Sequence, residues 1–252
     1  MQDGTAEPVV HFEDLTLGYD DHPAVHHLEG VVGAGALLAV VGPNGSGKST
    51  LLKGIIGALK PLEGRIGMDG ALRRRIAYLP QQAQVDRSFP ITVEAFVALG
   101  LWKEIGAFRG LDTRARSRIR KALMAVGLEG FERRMIDALS GGQMQRILFA
   151  RLLLEDSALI LLDEPFTAID TKTAAELMAL IERWHGERRT IIAVLHDLDL
   201  VKERFPQALM LAREPVAWGD TRSVITPENL LKARAMSEAW DENAPWCRKS
   251  AA

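Results

Sequence analysis

The sequence ALLAVVGPNGSGKSTLLKGI, residues 36–55, decides the fold of this chain. It opens with a short apolar run, which is typical of a strand buried inside a parallel sheet. A glycine-rich turn follows, and apolar residues then recur at helical spacing, with Leu51, Leu52 and Ile55 on one face. The stretch predicts a strand, a tight loop and a helix in direct succession, and we expect that helix to continue until Pro61 stops it.

The turn matches the phosphate-loop pattern G-x-x-x-x-G-K-[S/T] in full. Its glycines let the backbone turn so that N–H groups point inward at phosphate oxygens. Lys48 would reach the β- and γ-phosphates, and Ser49 would offer a hydroxyl to Mg²⁺. The alternative, a glycine-rich turn that binds nothing, does not account for the strand and helix on either side. The predicted nucleotide-binding residues are Gly42, Pro43, Asn44, Gly45, Ser46, Gly47, Lys48, Ser49 and Thr50.

A second apolar stretch, LILLDE at residues 159–164, ends in two carboxylates. At the end of a buried strand, Asp163 can hold Mg²⁺, and Glu164 can orient or deprotonate the attacking water. A strand that meets solvent at its charged end is the alternative. The presence of the phosphate loop in the same chain favours the catalytic interpretation.

The motif Leu139-Ser140-Gly141-Gly142-Gln143 precedes an apolar helix. Ser140 and Gln143 have the spacing of a capping box, in which each side chain bonds the other residue's backbone N–H. A capping box does not explain two glycines in a first helical turn, because glycine weakens a helix. Exposed N–H groups at a helix start suit a second surface that faces phosphate.

With these motifs the chain resembles the nucleotide-binding subunit of ABC transporters, over about residues 9 to 225. In that family LSGGQ is the signature motif. The resemblance implies that Asp163 is the Walker B aspartate, Glu164 the catalytic glutamate and Asp170 the D-loop aspartate. It also implies that His196 is the switch histidine that contacts the γ-phosphate.

Two assignments within the resemblance keep an alternative. Tyr19 resembles the aromatic residue that stacks on adenine, with Phe12 as the alternative. Gln81 resembles the Q-loop glutamine, which reaches Mg²⁺ and the attacking water, and its neighbour Gln82 is the alternative. The implied catalytic residues are Glu164, His196 and Gln81, and the implied Mg²⁺ ligands are Ser49, Gln81 and Asp163.

The predicted fold is α/β, with the parallel-sheet core of a P-loop NTPase. The resemblance adds an N-terminal antiparallel β arm and an inserted α-helical subdomain. We predict one ABC ATPase domain over residues 1–252, with its core at 9–86 and 155–225. The predicted helical subdomain, with the signature, covers 87–154, and a C-terminal extension covers 226–252, including Cys247. We also expect a β-hairpin at Asp69-Gly70, because that dipeptide is a common hairpin turn.

The resemblance implies a mechanism and a set of partners. Two chains would form a homodimer that sandwiches ATP between the phosphate loop of one chain and the signature of the other. Closing that dimer would move an integral membrane permease, which receives its cargo from an extracytoplasmic substrate-binding protein. The ATPase would sit at the cytoplasmic face of the membrane, held there by the permease. It would use ATP and Mg²⁺ as cofactors.

The cargo is inferred from likeness within the family. The stretches FPITV (89–93) and LLDEPFT (161–167) resemble the zinc and manganese importer branch, which implies a divalent metal ion as cargo. An iron-chelate or cobalamin importer is the alternative, followed by a soluble ABC ATPase without a transport role. His22, His26 and His27 lack the paired ligands of a structural zinc site, and we expect them in an exposed loop.

The composition sets further limits. The chain has 31 Lys and Arg against 33 Asp and Glu, a net charge of -2, so no basic excess indicates nucleic acid. Its single cysteine cannot form an internal disulfide. No apolar stretch predicts a signal peptide or a membrane span, so we expect membrane association only through a partner.

Overall fold

The computed structural model describes residues 7–20, 22–81, 85–106 and 110–238. The chain divides into two compact units, the first formed by residues 1–74 and 190–252 and the second by residues 75–189. The strands are β1 (Pro8–Tyr19), β2 (His22–Gly33), β3 (Leu37–Val41), β4 (Glu63–Gly67), β5 (Ile76–Leu79), β6 (Leu159–Asp163), β7 (Thr190–Val194), β8 (Gln207–Ala212) and β9 (Glu214–Asp220). The helices are α1 (Lys48–Ile55), α2 (Gly70–Arg73), α3 (Val93–Ala98), α4 (Trp102–Ile105), α5 (Thr113–Ala125), α6 (Gly141–Glu155), α7 (Thr171–Gly186), α8 (Leu198–Arg204), α9 (Thr221–Val224) and α10 (Pro227–Glu238).

The first unit contains an antiparallel sheet and a mainly parallel one. In the antiparallel sheet β1 lies between β2 and β4. In the other sheet β3 pairs in parallel with β7 and β8, and β9 adds an antiparallel edge to β8. Every residue of β3 and β7 is buried, as their uninterrupted apolar sequences predict. This arrangement confirms the predicted parallel core and antiparallel arm.

Helix α1 begins where the sequence predicts but ends earlier. It ends at Ile55, six residues before Pro61. Gly57 takes a left-handed φ of 78°, and the N–H of Ala58 donates to Lys53 O at 2.9 Å. A left-handed glycine with this bond closes a helix without any proline, so the predicted helix end is wrong.

The hairpin predicted at Asp69-Gly70 is also wrong. Asp69 caps α2, because its side chain accepts a hydrogen bond from Ala71 N. The strands on either side do not pair with each other: β4 pairs with β1, and β5 pairs with β6. An aspartate before glycine satisfies a helix N-terminus as well as a turn, and only the pairing of the strands decides between the two.

The second unit combines a short parallel strand pair with helices α3 to α7. β5 and β6 pair in parallel from Ile76 opposite Leu159 to Leu79 opposite Leu162. Helices α3, α5 and α6 contact one another through buried apolar side chains, which confirms the predicted helical insertion. Phe149 of α6 stacks on Trp184 of α7 with ring centroids 5.9 Å apart. The boundaries predicted for this subdomain, residues 87–154, stay a prediction.

The histidines do not lie in an exposed loop. His22, His26 and His27 all belong to β2, and His26 is 7% exposed. Burial lowers the pKa of His26 below its ordinary value. His27 bonds Asp14 on the neighbouring strand, Nδ1 to Oδ1, at 2.8 Å. The strand was not predicted because polar histidines interrupt its apolar pattern.

Helix α10 begins at Pro227, directly after Thr226, whose hydroxyl accepts a hydrogen bond from Asn229 N at 3.2 Å. Within the described ranges, no helix is both long and apolar enough to cross a membrane. Cys247, and with it the end of the predicted C-terminal extension, lies outside the described residues.

Candidate functional site

The phosphate loop joins β3 to α1 in the first unit, and its glycines are required by the local geometry. Gly47 has a φ of 92°, and a Cβ there would lie 2.2 Å from Ala24 O. Gly45 has a φ of 74°, and a Cβ there would meet no atom within 4 Å, so its backbone is open to approach. The loop is thus packed tightly at Gly47 and accessible at Gly45, as an anion-binding turn requires.

Lys48 is buried within this loop. Its side chain is 6% exposed, and Nζ donates to Gly42 O at 2.9 Å and to Pro43 O at 2.6 Å. A third bond, at 3.4 Å, goes to Ser46 Oγ. The ammonium therefore lies inside the curve of the loop, where phosphate oxygens can replace these acceptors.

Backbone hydrogen bonds connect the turn between β8 and β9 to the phosphate loop and to β2. Arg213 N donates to Ser46 O at 3.0 Å, and Arg213 O accepts from His26 N at 2.8 Å. Arg213 adopts a left-handed φ of 64°, which lets both backbone groups reach their partners. We did not predict this residue, because nothing in the local sequence connects it to the distant phosphate loop.

The two candidates for adenine stacking have different environments. Tyr19 is 46% exposed, and Lys53 Nζ lies 5.8 Å from the centroid of its ring. Phe12 is 4% exposed and packs against Trp218, with ring centroids 5.9 Å apart. A buried ring cannot stack on a ligand, so this geometry favours Tyr19.

His196 follows β7 in the first unit, and its side chain is exposed. It lines a cavity of about 140 Å³ together with Gly42 and Pro43 of the phosphate loop. Leu230 and Ala233 of α10 line the same cavity. The first unit therefore brings the candidate switch histidine next to the start of the phosphate loop.

In the second unit, Asp163 at the end of β6 and Glu164 directly after it differ in environment. Asp163 is fully buried, and Tyr78 Oη donates to its Oδ2 at 3.3 Å. Glu164 is partly exposed and has a left-handed φ of 51°. A residue other than glycine in this conformation costs free energy, and such residues cluster at functional sites.

Two side chains hold the Glu164 carboxylate. Gln81 Nε2 donates to Glu164 Oε2 at 2.9 Å, and Thr167 Oγ1 donates to the same oxygen at 3.2 Å. The structure thus brings Gln81 and Glu164 together, and Gln82 lies outside the described residues. Tyr78 was not predicted as part of the site, although it lies in the stretch that leads to Gln81.

The signature motif forms the capping box that its spacing predicts. Gln143 N donates to Ser140 Oγ at 3.2 Å, and Ser140 N donates to Gln143 Oε1 at 3.0 Å. Leu139 is 4% exposed and anchors the motif in the second unit. A Cβ on Gly142 would meet no atom within 4 Å, so the packing of its own chain does not require glycine there.

Asp170 caps helix α7. Its Oδ1 accepts from Thr173 N at 2.9 Å, and its Oδ2 accepts from Thr173 Oγ1 at 2.7 Å. Hydrogen bonds from the Thr173 hydroxyl and backbone lower the pKa of Asp170 below its ordinary value. Thr173 was not predicted as part of the site, although an aspartate directly before a helix is a recognisable N-cap.

Comparison with known proteins adds a family match. The model of the family described as ABC transporter matches residues 25–167. This range contains the phosphate loop, the signature and both carboxylates that follow the apolar part of β6. It covers more than half of the chain.

Two relatives match almost the whole chain. The manganese transport system ATP-binding protein MntB of Halalkalibacterium halodurans is 36% identical over 231 residues, which cover 89% of this chain and 91% of that protein. The zinc transport system ATP-binding protein TroB of Treponema pallidum is 38% identical over 228 residues, which cover 89% of this chain and 86% of that protein. A solved dimeric bacterial ABC transporter cassette superposes with a TM-score of 0.74 at 28% identity, covering 85% of this chain and 99% of that one.

Proposed function

We propose that this chain, which belongs to the ABC transporter family, powers the import of a divalent metal ion, zinc or manganese, as a homodimer docked on a membrane permease. As a member of this family it binds and hydrolyses ATP. The observation that carries the proposed cargo is the match over 89% of the chain to ATP-binding proteins of manganese and zinc transport systems.

For nucleotide binding, we propose that the phosphate loop, residues 42–50, surrounds the β- and γ-phosphates. When ATP binds, Lys48 Nζ exchanges its hydrogen bonds to Gly42 O and Pro43 O for hydrogen bonds to phosphate oxygens. Tyr19 offers its exposed ring to the adenine. Lys53 Nζ lies 5.8 Å from the centroid of that ring, and its positive charge would attract the negatively charged ATP.

For the cation, we propose Ser49, Gln81 and Asp163 as the Mg²⁺ ligands. Each supplies an oxygen, the donor that Mg²⁺ prefers. Asp163 is a buried carboxylate at the end of β6, and a divalent cation would stabilise its negative charge. Because Gln81 uses its Nε2 on Glu164, its amide oxygen remains an acceptor for the ion. Bound Mg²⁺ would offset the negative charge of the phosphates.

For hydrolysis, we propose that Glu164 takes a proton from the attacking water. The water oxygen bonds to the γ-phosphorus, the bond from that phosphorus to the bridging oxygen breaks, and ADP leaves. Gln81 and Thr167 hold the carboxylate in place for this step through their bonds to Oε2. His196 contacts the γ-phosphate, which its place beside Pro43 supports.

For the partner chain, we propose that the signature, residues 139–143, faces the ATP held by the second copy. Support comes from Gly142, because the packing of its own chain leaves room for a side chain there. A phosphate that approaches the first turn of α6 needs that space, and the N–H groups at a helix start attract an anion. The solved dimeric cassette, a neighbour at 28% identity, is consistent with pairing.

The Gly142→Ala variant tests the signature. We expect its melting temperature to rise or stay unchanged, because alanine stabilises a helix by up to about 1 kcal/mol relative to glycine. We expect its ATP turnover to fall at least about tenfold. The added methyl group would keep the partner's phosphate away from the N–H groups at the start of α6, and a charge-assisted hydrogen bond would be lost. Thermal melting and phosphate release measure the two effects.

Gly186→Ala is the matched control, since a Cβ on Gly186 at the end of α7 also meets no atom within 4 Å. It is expected to leave turnover unchanged. Wild-type turnover in the Gly142→Ala variant would contradict a role of the signature at the partner's ATP.

For the membrane partner, we propose that a permease docks on the second unit and holds the chain at the cytoplasmic face of the membrane. Phe89, Leu99 and Trp102 follow Gln81 in sequence and are 63%, 40% and 55% exposed. Exposed large apolar side chains favour contact with another protein. The extracytoplasmic binding protein would act through the permease.

Cellular metal content tests the cargo. The native host would carry either the wild-type gene or the Lys48→Ala variant and would grow under zinc and then manganese limitation. We expect the variant to lose one metal selectively under limitation, because nucleotide binding powers uptake. Host cells with Lys60→Ala, an exposed lysine outside the loop, are the control and should keep wild-type metal content. No change in either metal would overturn the metal-ion proposal and favour an iron-chelate or cobalamin cargo, or a role outside transport.

A further inference from the structure

Two neighbouring residues of α6 bond the segment that carries Glu164 and Asp170. Gln145 is 1% exposed, and its Nε2 donates to Pro165 O at 2.7 Å. Arg146 Nη2 donates to Thr173 Oγ1 at 2.9 Å. The helix that begins with the signature is therefore bonded to Pro165, next to Glu164, and to Thr173, three residues after Asp170.

The Arg146 guanidinium is held at one position by three partners. Besides Thr173, it donates from Nη1 to Val126 O at 2.9 Å and pairs with Glu176 Oε2 at 2.6 Å. Its side chain is 17% exposed, so solvent screens these contacts less than those of a surface pair. A planar guanidinium with several N–H donors constrains the direction of its hydrogen bonds as well as the position of its charge.

From Arg146 the hydrogen bonds run in one direction to Asp170. The guanidinium donates to the Thr173 hydroxyl, and that hydroxyl donates to Asp170 Oδ2 at 2.7 Å. Thr173 is 4% exposed, and burial strengthens a chain of hydrogen bonds of this kind. Asp170 is thereby held by a residue on the signature helix.

The Gln145 bond acts at the other end of the segment. Pro165 is the residue after Glu164, whose left-handed backbone must be maintained by its surroundings. The bond to Pro165 O fixes the peptide group between Pro165 and Phe166, one residue beyond Glu164. A shift of α6 would therefore shift the backbone at the catalytic carboxylate.

We propose that Gln145, Arg146 and Thr173 are positioning residues that make the signature helix and the Glu164–Asp170 segment move as one body. This inference rests on the proposed function, in which the signature contacts the partner's ATP and Glu164 acts on the chain's own ATP. Engagement of one ATP by the signature then sets Glu164 for the other ATP. The two sites of the homodimer become coupled through a contact network inside each chain.

The Thr173→Val variant tests this coupling, because valine keeps the shape of threonine and removes the hydroxyl. We expect kcat to fall about tenfold, because without this hydroxyl Arg146 no longer positions Asp170. The KM for ATP should stay close to wild type, since no phosphate-loop residue changes. The Hill coefficient for ATP should fall toward the non-cooperative value. The Thr173→Ser variant keeps the hydroxyl and should restore both parameters.

Thr190→Val controls for a general loss of stability. Thr190 is equally buried, at 4%, and its hydroxyl accepts one bond from Gly35 N at 2.9 Å in the first unit. We expect this variant to lower the melting temperature as Thr173→Val does, while kcat and the Hill coefficient stay at wild-type values. A Thr190→Val variant with the same kinetic loss would overturn the positioning role.

A second variant covers the case in which Thr173→Val fails to fold. Gln145→Met has a similar size and lacks the bond to Pro165 O, and it is expected to lower kcat and the Hill coefficient in the same way. If both variants show wild-type kinetics and the Glu164→Gln variant still dimerises with ATP, the coupling is overturned and the sandwich stands. A Glu164→Gln variant that stayed monomeric would instead contradict the proposed sandwich itself.

Discussion

The Lys48→Ala variant is expected to bind ATP about 100-fold or more weakly than the wild type and to show no measurable turnover. Lys48 Nζ lies inside the phosphate loop, 2.9 Å from Gly42 O and 2.6 Å from Pro43 O. Its charge is the only one that the loop sequence offers to the β- and γ-phosphates. Calorimetric titration with ATP and a phosphate-release assay measure both effects.

Removal of Lys48 also takes a donor away from two loop carbonyls, so the fold must be checked separately. A melting curve and far-UV circular dichroism of the variant serve this purpose. Lys60→Ala is the matched control, because it removes the same charge from an exposed position outside the loop. ATP affinity at the wild-type level in Lys48→Ala would contradict the assignment of the phosphate loop.

The Glu164→Gln variant is expected to keep ATP binding, to lose turnover by about 100-fold or more, and to accumulate as a dimer with Mg-ATP. Glutamine has the shape of glutamate, and its amide oxygen can still accept the bonds from Gln81 and Thr167. It cannot take a proton from water, so ATP stays intact between the two chains. Size exclusion with light scattering, in the presence and absence of Mg-ATP, measures the dimer.

Glu129→Gln is the control for this charge change, since Glu129 is exposed in the same unit. It should turn over ATP as the wild type does and show no trapped dimer. A monomeric Glu164→Gln protein in Mg-ATP would contradict the sandwich. Near-normal turnover in that variant would assign the base to another residue.

Where local structure depends on neighbouring residues, the sequence predicts it well. The phosphate loop, the capping box at Ser140 and the buried strand that ends at Asp163 are each set by a short stretch of chain. Local stereochemistry fixes such elements, because glycine conformation, helix capping and apolar runs act over a few residues.

Two of the wrong predictions, the hairpin at Asp69-Gly70 and the loop around His26, share a different cause. Asp69-Gly70 is compatible with both a hairpin turn and a helix cap, and the pairing of β4 with β1 excludes the hairpin. The same applies to His26, which β-pairing places in a buried strand position despite its polarity. In each case the local sequence allows two structures, and contacts with distant residues select one.

The sequence by itself determined the fold class, the family resemblance and the phosphate loop of this protein, because each follows from residues adjacent in the chain. Only the tertiary structure decided that Gln81 bonds Glu164, that Arg213 supports Ser46 and that Arg146 reaches Asp170 through Thr173. The physical reason is that a hydrogen bond depends on distance and direction in space. Residues far apart in the chain meet that condition only after the strands and helices have packed.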